Sequence, residues 1–161
     1  MAIKAGLKVY GIASDQNVQL VESLGAIPIS RTRKTIIEIV EEVEIISNKS
    51  IKYVVDLIGN ETSIASFRLL HNGGSVAPLA STTFGKEVNI PTNINVHFIE
   101  MKRFILDVTY RWHADYINSL IEDNFLRFPS IDIINGLENV ENGLKVLKKG
   151  NMNGRKLVVL L

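Results

Sequence analysis

The 161-residue chain reads as an α/β protein built on a parallel sheet. Three observations predict this. Short continuous apolar runs such as "IKYVVDLIG" and "RKLVVLL" have the composition of strands buried on both faces. Between such runs lie segments whose apolar residues recur at helical spacing. Strand-like and helix-like segments then alternate along the chain, the pattern of strands joined by right-handed crossovers.

Taken in order, "MAIKAG" reads as the last turn of a helix closed by a glycine turn at Gly6, and residues 7–13 as a buried strand. "SDQNVQLVESLGA" places Val18, Leu20, Val21 and Leu24 on one helical face and stops at Gly25. "IPIS" is a brief extended piece. "TIIEIVEEVEIISNK" follows as an amphipathic helix, with Ile36, Ile37, Ile39, Val40, Val43 and Ile46 as its apolar positions. "IKYVVDLIG" is the next strand, and "NETSIASFRLLHNGG" a helix with Asn60 as its cap and glycines as its stop. "SVAPLAS" is a further strand. After a loop rich in Thr and Asn, "INVHFIEMKRFIL" reads as one or two more strands. "HADYINSLIEDNFL" carries Tyr116, Ile117, Leu120, Ile121 and Phe125 on a helical face, and "PSIDII" is extended. "GLENVENGLKVLKKG" repeats Leu137, Val140, Leu144 and Leu147 at spacing three to four, and "GRKLVVLL" is a buried strand.

Composition narrows the function. The length suits one domain with a real core. The 18 basic residues nearly balance the 17 acidic ones, which gives no electrostatic case for nucleic acid or an anionic membrane as partner. Absence of cysteine excludes disulfides and thiolate zinc sites and fits a reducing, cytoplasmic setting. No apolar run reaches the roughly 18 residues of a spanning helix, and residues 1–5 lack the apolar core of a signal peptide, so a soluble chain is expected.

The ordered series "AGLKVYGIAS", "LVESLGA", "YVVDLIGNETS", "LLHNGGSVAPLA" and "GLENVENGLKVLKKGNMNGRKLVVLL" resembles the medium-chain dehydrogenase/reductase superfamily. The likeness is to its zinc-free branch of quinone oxidoreductase-like and fungal enoyl reductase-like proteins. It covers nearly the whole chain, best over residues 5–26, 53–80 and 136–161, and poorest over 30–34 and 81–112. In that family a catalytic barrel precedes a Rossmann domain, and a C-terminal segment returns to the barrel. The resemblance therefore implies an incomplete Rossmann-type parallel sheet lacking its first, central strand and its glycine-rich turn. Residues 1–127 become a truncated dinucleotide-binding domain, and 128–161 a C-terminal helix and strand of the catalytic domain. In the strand order 3-2-1-4-5-6 the strands at 7–13 and 52–57 would flank a vacant place. Each orphaned buried polar group there would cost about 1–3 kcal/mol, against a typical domain stability of about 5–15 kcal/mol.

The resemblance also points to a cofactor cleft lined by Ser14, Asn17, Gly59 and Ala80, with NADP(H) as cofactor and no zinc. Ser14 follows the second Rossmann strand where the adenosine ribose lies, and a small hydroxyl there resembles NADPH-preferring members. Asp15 and Gln16 supply none of the positive charge that phosphate recognition uses. The plainer alternative is that residues 14–17 cap a helix, that Gly59 serves a tight turn, and that Ala80 packs in the core. Asp56, in an otherwise apolar strand, is either a strand-end polar group with local partners or part of a site. Arg31, Arg33 and Lys34 form a short basic cluster that reads as a solvated loop before a helix. His71, His97 and His113 show no metal-ligand spacing and read as surface or loop residues. Tyr110 and Tyr116 are proton donors in principle, but nothing in the sequence sets either beside a hydride acceptor. No catalytic residue is identified.

Two functions remain open at this stage. One is an NADP(H)-dependent oxidoreductase acting on an activated double bond, quinone or carbonyl, active only when the segments absent here are supplied. The other is a non-enzymatic remnant. A third, weaker reading is a module that forms homodimers through the edge strand at residues 94–106.

Overall fold

The computed structural model describes residues 1–71, 73–79, 88–99, 111–126, 130–150, 152 and 154–160. Strands and helices alternate as β1 (Tyr10–Ala13), α1 (Val18–Ser23), β2 (Ile27–Ser30), α2 (Ile36–Ser47), β3 (Tyr53–Asp56), α3 (Glu61–Ser66) and β4 (Gly74–Pro78). They continue as β5 (Ile94–Val96), α4 (Arg111–Glu122), β6 (Ile131–Asn135), α5 (Val140–Lys148) and β7 (Lys156–Leu160). The described strands make three sheets, β1-β2, β3-β4-β5 and β6-β7. The pairs β3–β4, β4–β5 and β6–β7 are parallel. The class is α/β with parallel sheets, as the sequence predicts. Among the described residues no helix is long and apolar enough to cross a membrane.

The chain divides into two compact units, Met1–Pro28 with His113–Leu161, and Ile29–Trp112. In the first, the N-terminal turn closes through Ala5 N–H to Met1 O and Gly6 N–H to Ile3 O, with Gly6 at φ +79°. Helix α1 packs on β1 where Gly11 leaves room for Val21, since a Cβ there would lie 2.7 Å from Val21 Cγ1. At the other end of this unit α5 lies on β6–β7. It comes so close that a Cβ at Gly143 would meet Ile134 Cδ1 and Leu157 Cδ2 at 2.9 Å each.

In the second unit α2 begins with a capping box. Glu38 N–H donates to Thr35 Oγ1, and Thr35 N–H donates back to Glu38 Oε2 at 2.7 Å, so two of the helix's orphan amide donors are satisfied reciprocally. The bond from the Thr35 backbone N–H, and then that from Thr35 Oγ1 to Glu38 Oε2 at 2.8 Å, hold the Glu38 carboxyl below the usual carboxylate range. Asn48, left-handed at φ 50°, ends the helix. Helix α3 packs on β3 and β4, over a core in which Leu70, Val76 and Ile94 are buried and Ile51, Val54, Phe67 and Val96 pack around them.

Several expected faces are narrower than the periodicity suggests. Leu20 of α1 and Leu24 at its C-terminal cap are exposed, as are Ile37 and Ile46 of α2, whose buried residues are Val40, Val43 and Ser47. The cause is geometric: only a narrow stripe of each short helix meets its neighbours. Likewise β3 is covered on one face only. Val54 and Asp56 point toward the helices, while Tyr53 and Val55 on the alternate face are 64% and 67% exposed. Strand β7, expected to be buried, alternates in the same way, with Val158 and Leu160 exposed and Leu157 and Val159 turned inward. Leu137, Leu144 and Leu147 beside it are exposed too. Asn60 stands at the N-cap of α3 with φ +53° and makes no side-chain capping bond. The strand expected over 94–106 is observed as Ile94–Val96; residues 100–106 lie outside the described residues.

Candidate functional site

The residue types at the end of β1 decide what can happen there. Leaving the strand, Ser14 is extended (φ −72°, ψ 159°) and the chain turns at once into a 3-10 turn over Asp15–Asn17 that leads into α1. Asn17 N–H donates to Ser14 O at 2.8 Å, and Asn17 Nδ2 donates to Ser14 Oγ at 3.3 Å. Ser14 and Asn17 each occupy a helix-start position, yet neither side chain makes a capping bond. The two side chains face each other instead. Asn17 Oδ1 is buried and has no hydrogen-bond partner.

That arrangement has definite chemistry. Ser14 Oγ accepts from Asn17, so its own proton is available to donate outward. Asn17 Oδ1 is an acceptor closed off from solvent, and leaving it unmatched costs about 1–3 kcal/mol. A hydroxyl donor at the carboxyl end of a strand is of the type that meets a ribose hydroxyl. Asp15, exposed in the same turn, adds negative charge beside Ser14 and Asn17.

In the second unit, the segment after β3 is organised around Asp56. Its carboxylate is 8% exposed and accepts from Ile58 N–H at 2.9 Å, Gly59 N–H at 3.2 Å, Thr62 Oγ1 at 2.7 Å and Ser63 Oγ. Burial alone would raise its pKa, but the hydrogen bonds from Ser63, Ile58, Thr62 and Gly59 outweigh burial and hold it below the usual carboxylate value. Asp56 is therefore a strand-end group with local partners, the first of the two sequence alternatives. Gly59 is buried at φ +89°, a conformation that favours glycine, and its N–H is engaged by Asp56 while its carbonyl accepts from Thr62 Oγ1 at 2.9 Å. Its geometry is that of a tight turn. The Asp56 knot is what fixes the course of the chain from β3 into α3.

Of the four expected site residues, Ser14 and Asn17 are brought together in the first unit, Gly59 stands in the second, and Ala80 lies outside the described residues. Lys34 pairs with Glu42 of α2, and Arg31 and Arg33 are exposed, a solvated cluster as read from the sequence. His71 bonds Glu44 at 3.0 Å and His97 is exposed. His113, expected at the surface or in a loop, is half-buried within α4 because it falls on that helix's inner side. Tyr116 is exposed on α4, and Tyr110 lies outside the described residues. Among the described residues no group of three or more His, Asp or Glu is placed to hold a metal ion. The sequence reading missed the part played by Gly154, whose turn comes up against Asn17 and Leu20. A Cβ there would stand 3.7 Å from Asn17 Oδ1 and 2.6 Å from Leu20 Cδ2. A lone glycine in "NMNGRK" carries no local sign of so distant a contact.

No protein-family model matches the sequence, and no curated protein matches it. Solved structures do match its fold. The JamJ enoyl reductase in its apo form superposes with a TM-score of 0.81 at 13% identity, covering 99% of this chain and 49% of that one. CurA of Vibrio vulnificus, solved in complex with NADPH, gives 0.67 at 18% identity, covering 94% of this chain and 49% of that one. An NAD-dependent alcohol dehydrogenase gives 0.68 at 20% identity, covering 99% of this chain and 46% of that one. The chain thus spans about half the length of each of these structures and has the fold of that half.

Proposed function

We propose that this chain is the dinucleotide-handling part of an NADP(H)-dependent oxidoreductase of the medium-chain dehydrogenase/reductase superfamily, in its zinc-free branch. The observation that carries the reading is the Ser14–Asn17 pair at the end of β1, which leaves capping unused and presents a hydroxyl beside a buried, partnerless amide oxygen. A fold shared with enoyl reductases and with an NADPH complex supports it.

When bound, the nicotinamide supplies or accepts a hydride. This chain's residues bind and orient. Ser14 donates toward the phosphate-bearing ribose, its hydroxyl held in place by the Asn17 Nδ2–H. Gly59, whose turn is pinned by Asp56, sets the path of the chain after β3. Because the matched structures are about twice as long as this chain, the reduction of an enone, quinone or carbonyl is proposed for this part working together with segments equivalent to their other half. The test is titration of the purified chain with NADPH and NADH, followed by nicotinamide fluorescence. Saturable binding that prefers NADPH supports the reading. Failure to bind either nucleotide, in a chain whose circular dichroism shows folded α/β structure, would overturn it.

A further inference from the structure

No further inference is drawn: the strongest candidate, the open face of the two-stranded β6–β7 sheet on which Ile131, Ile133, Val158 and Leu160 are exposed, carries nothing because nothing in the structure shows what covers it.

Discussion

Replacing Asp56 with alanine should be the most damaging single change among the described polar residues. The carboxylate gathers four donors, of which two are buried with it: the Gly59 N–H and the hydroxyl of Ser63, a residue 0% exposed. Ile58 is exposed and its N–H can turn to water, and Thr62 Oγ1 retains the Gly59 carbonyl at 2.9 Å. Two buried donors left unpaired at about 1–3 kcal/mol each, less the relief of no longer burying a charge, give an expected loss of about 3 kcal/mol. Urea unfolding followed by circular dichroism measures it, with an unchanged m-value as the sign that only stability has moved. The pH dependence gives a second check. Because the folded-state pKa is held below the ordinary Asp value of 3.8, the carboxylate's contribution is present in full above that value and is lost as pH falls through the lower, folded one. The gap between wild type and Asp56→Ala should therefore be constant from pH 8 to about 5 and shrink below about pH 4. A loss under about 1 kcal/mol at pH 7, or a gap as wide at pH 3 as at pH 7, would refute the reasoning.

Other outcomes follow from the same geometry. Thr35→Ala removes one half of the α2 capping box and should cost about 1 kcal/mol in denaturant unfolding. Gly74→Ala drives a methyl into Lys52 O, at φ +155°, where β3 and β4 begin to pair, and should cost at least about 2 kcal/mol with early loss of amide protection at Ser75. Leu70→Ala, at a side chain 1% exposed in the core of the second unit, should cost about 2–5 kcal/mol by the same unfolding assay. Ser14→Asp substitutes a carboxylate for the hydroxyl that faces the proposed 2′-phosphate, so calorimetry should show NADPH affinity falling by about tenfold or more while NADH affinity is kept.

How much of this was legible in the sequence depends on how local the signal is. The alternation of elements, the turn at Gly6 and the α2 helix are written in short windows, and the structure has them. The Asp56 knot was half legible: a carboxylate at the end of an apolar run announces local partners, and Thr62 and Ser63 lie within seven residues of it. Which side of a strand is covered is a different kind of fact. "IKYVVDLIG" reads as apolar on both faces apart from Asp56, yet only the side bearing Val54 and Asp56 meets helices in its unit, and Tyr53 and Val55 stay exposed. Periodicity reports what a face would tolerate, and packing decides what it receives. The approach of Gly154 to Asn17 joins residues more than 130 positions apart, and no window of sequence contains it.

The same distinction bears on the β6–β7 pair. Two parallel strands carry little stability by themselves, and here the face bearing Ile131, Ile133, Val158 and Leu160 is exposed. What holds the pair is the opposite face, where Ile134 and Leu157 receive α5 at Gly143. A side chain at Gly143 would have to displace both, and overpacking of that kind costs about 1–3 kcal/mol. The Gly154 turn hangs between α5 and β7, so its placement against Asn17 depends on this contact as much as on its own conformation. Loosening the helix packing at Gly143 would therefore shift the turn that meets Asn17.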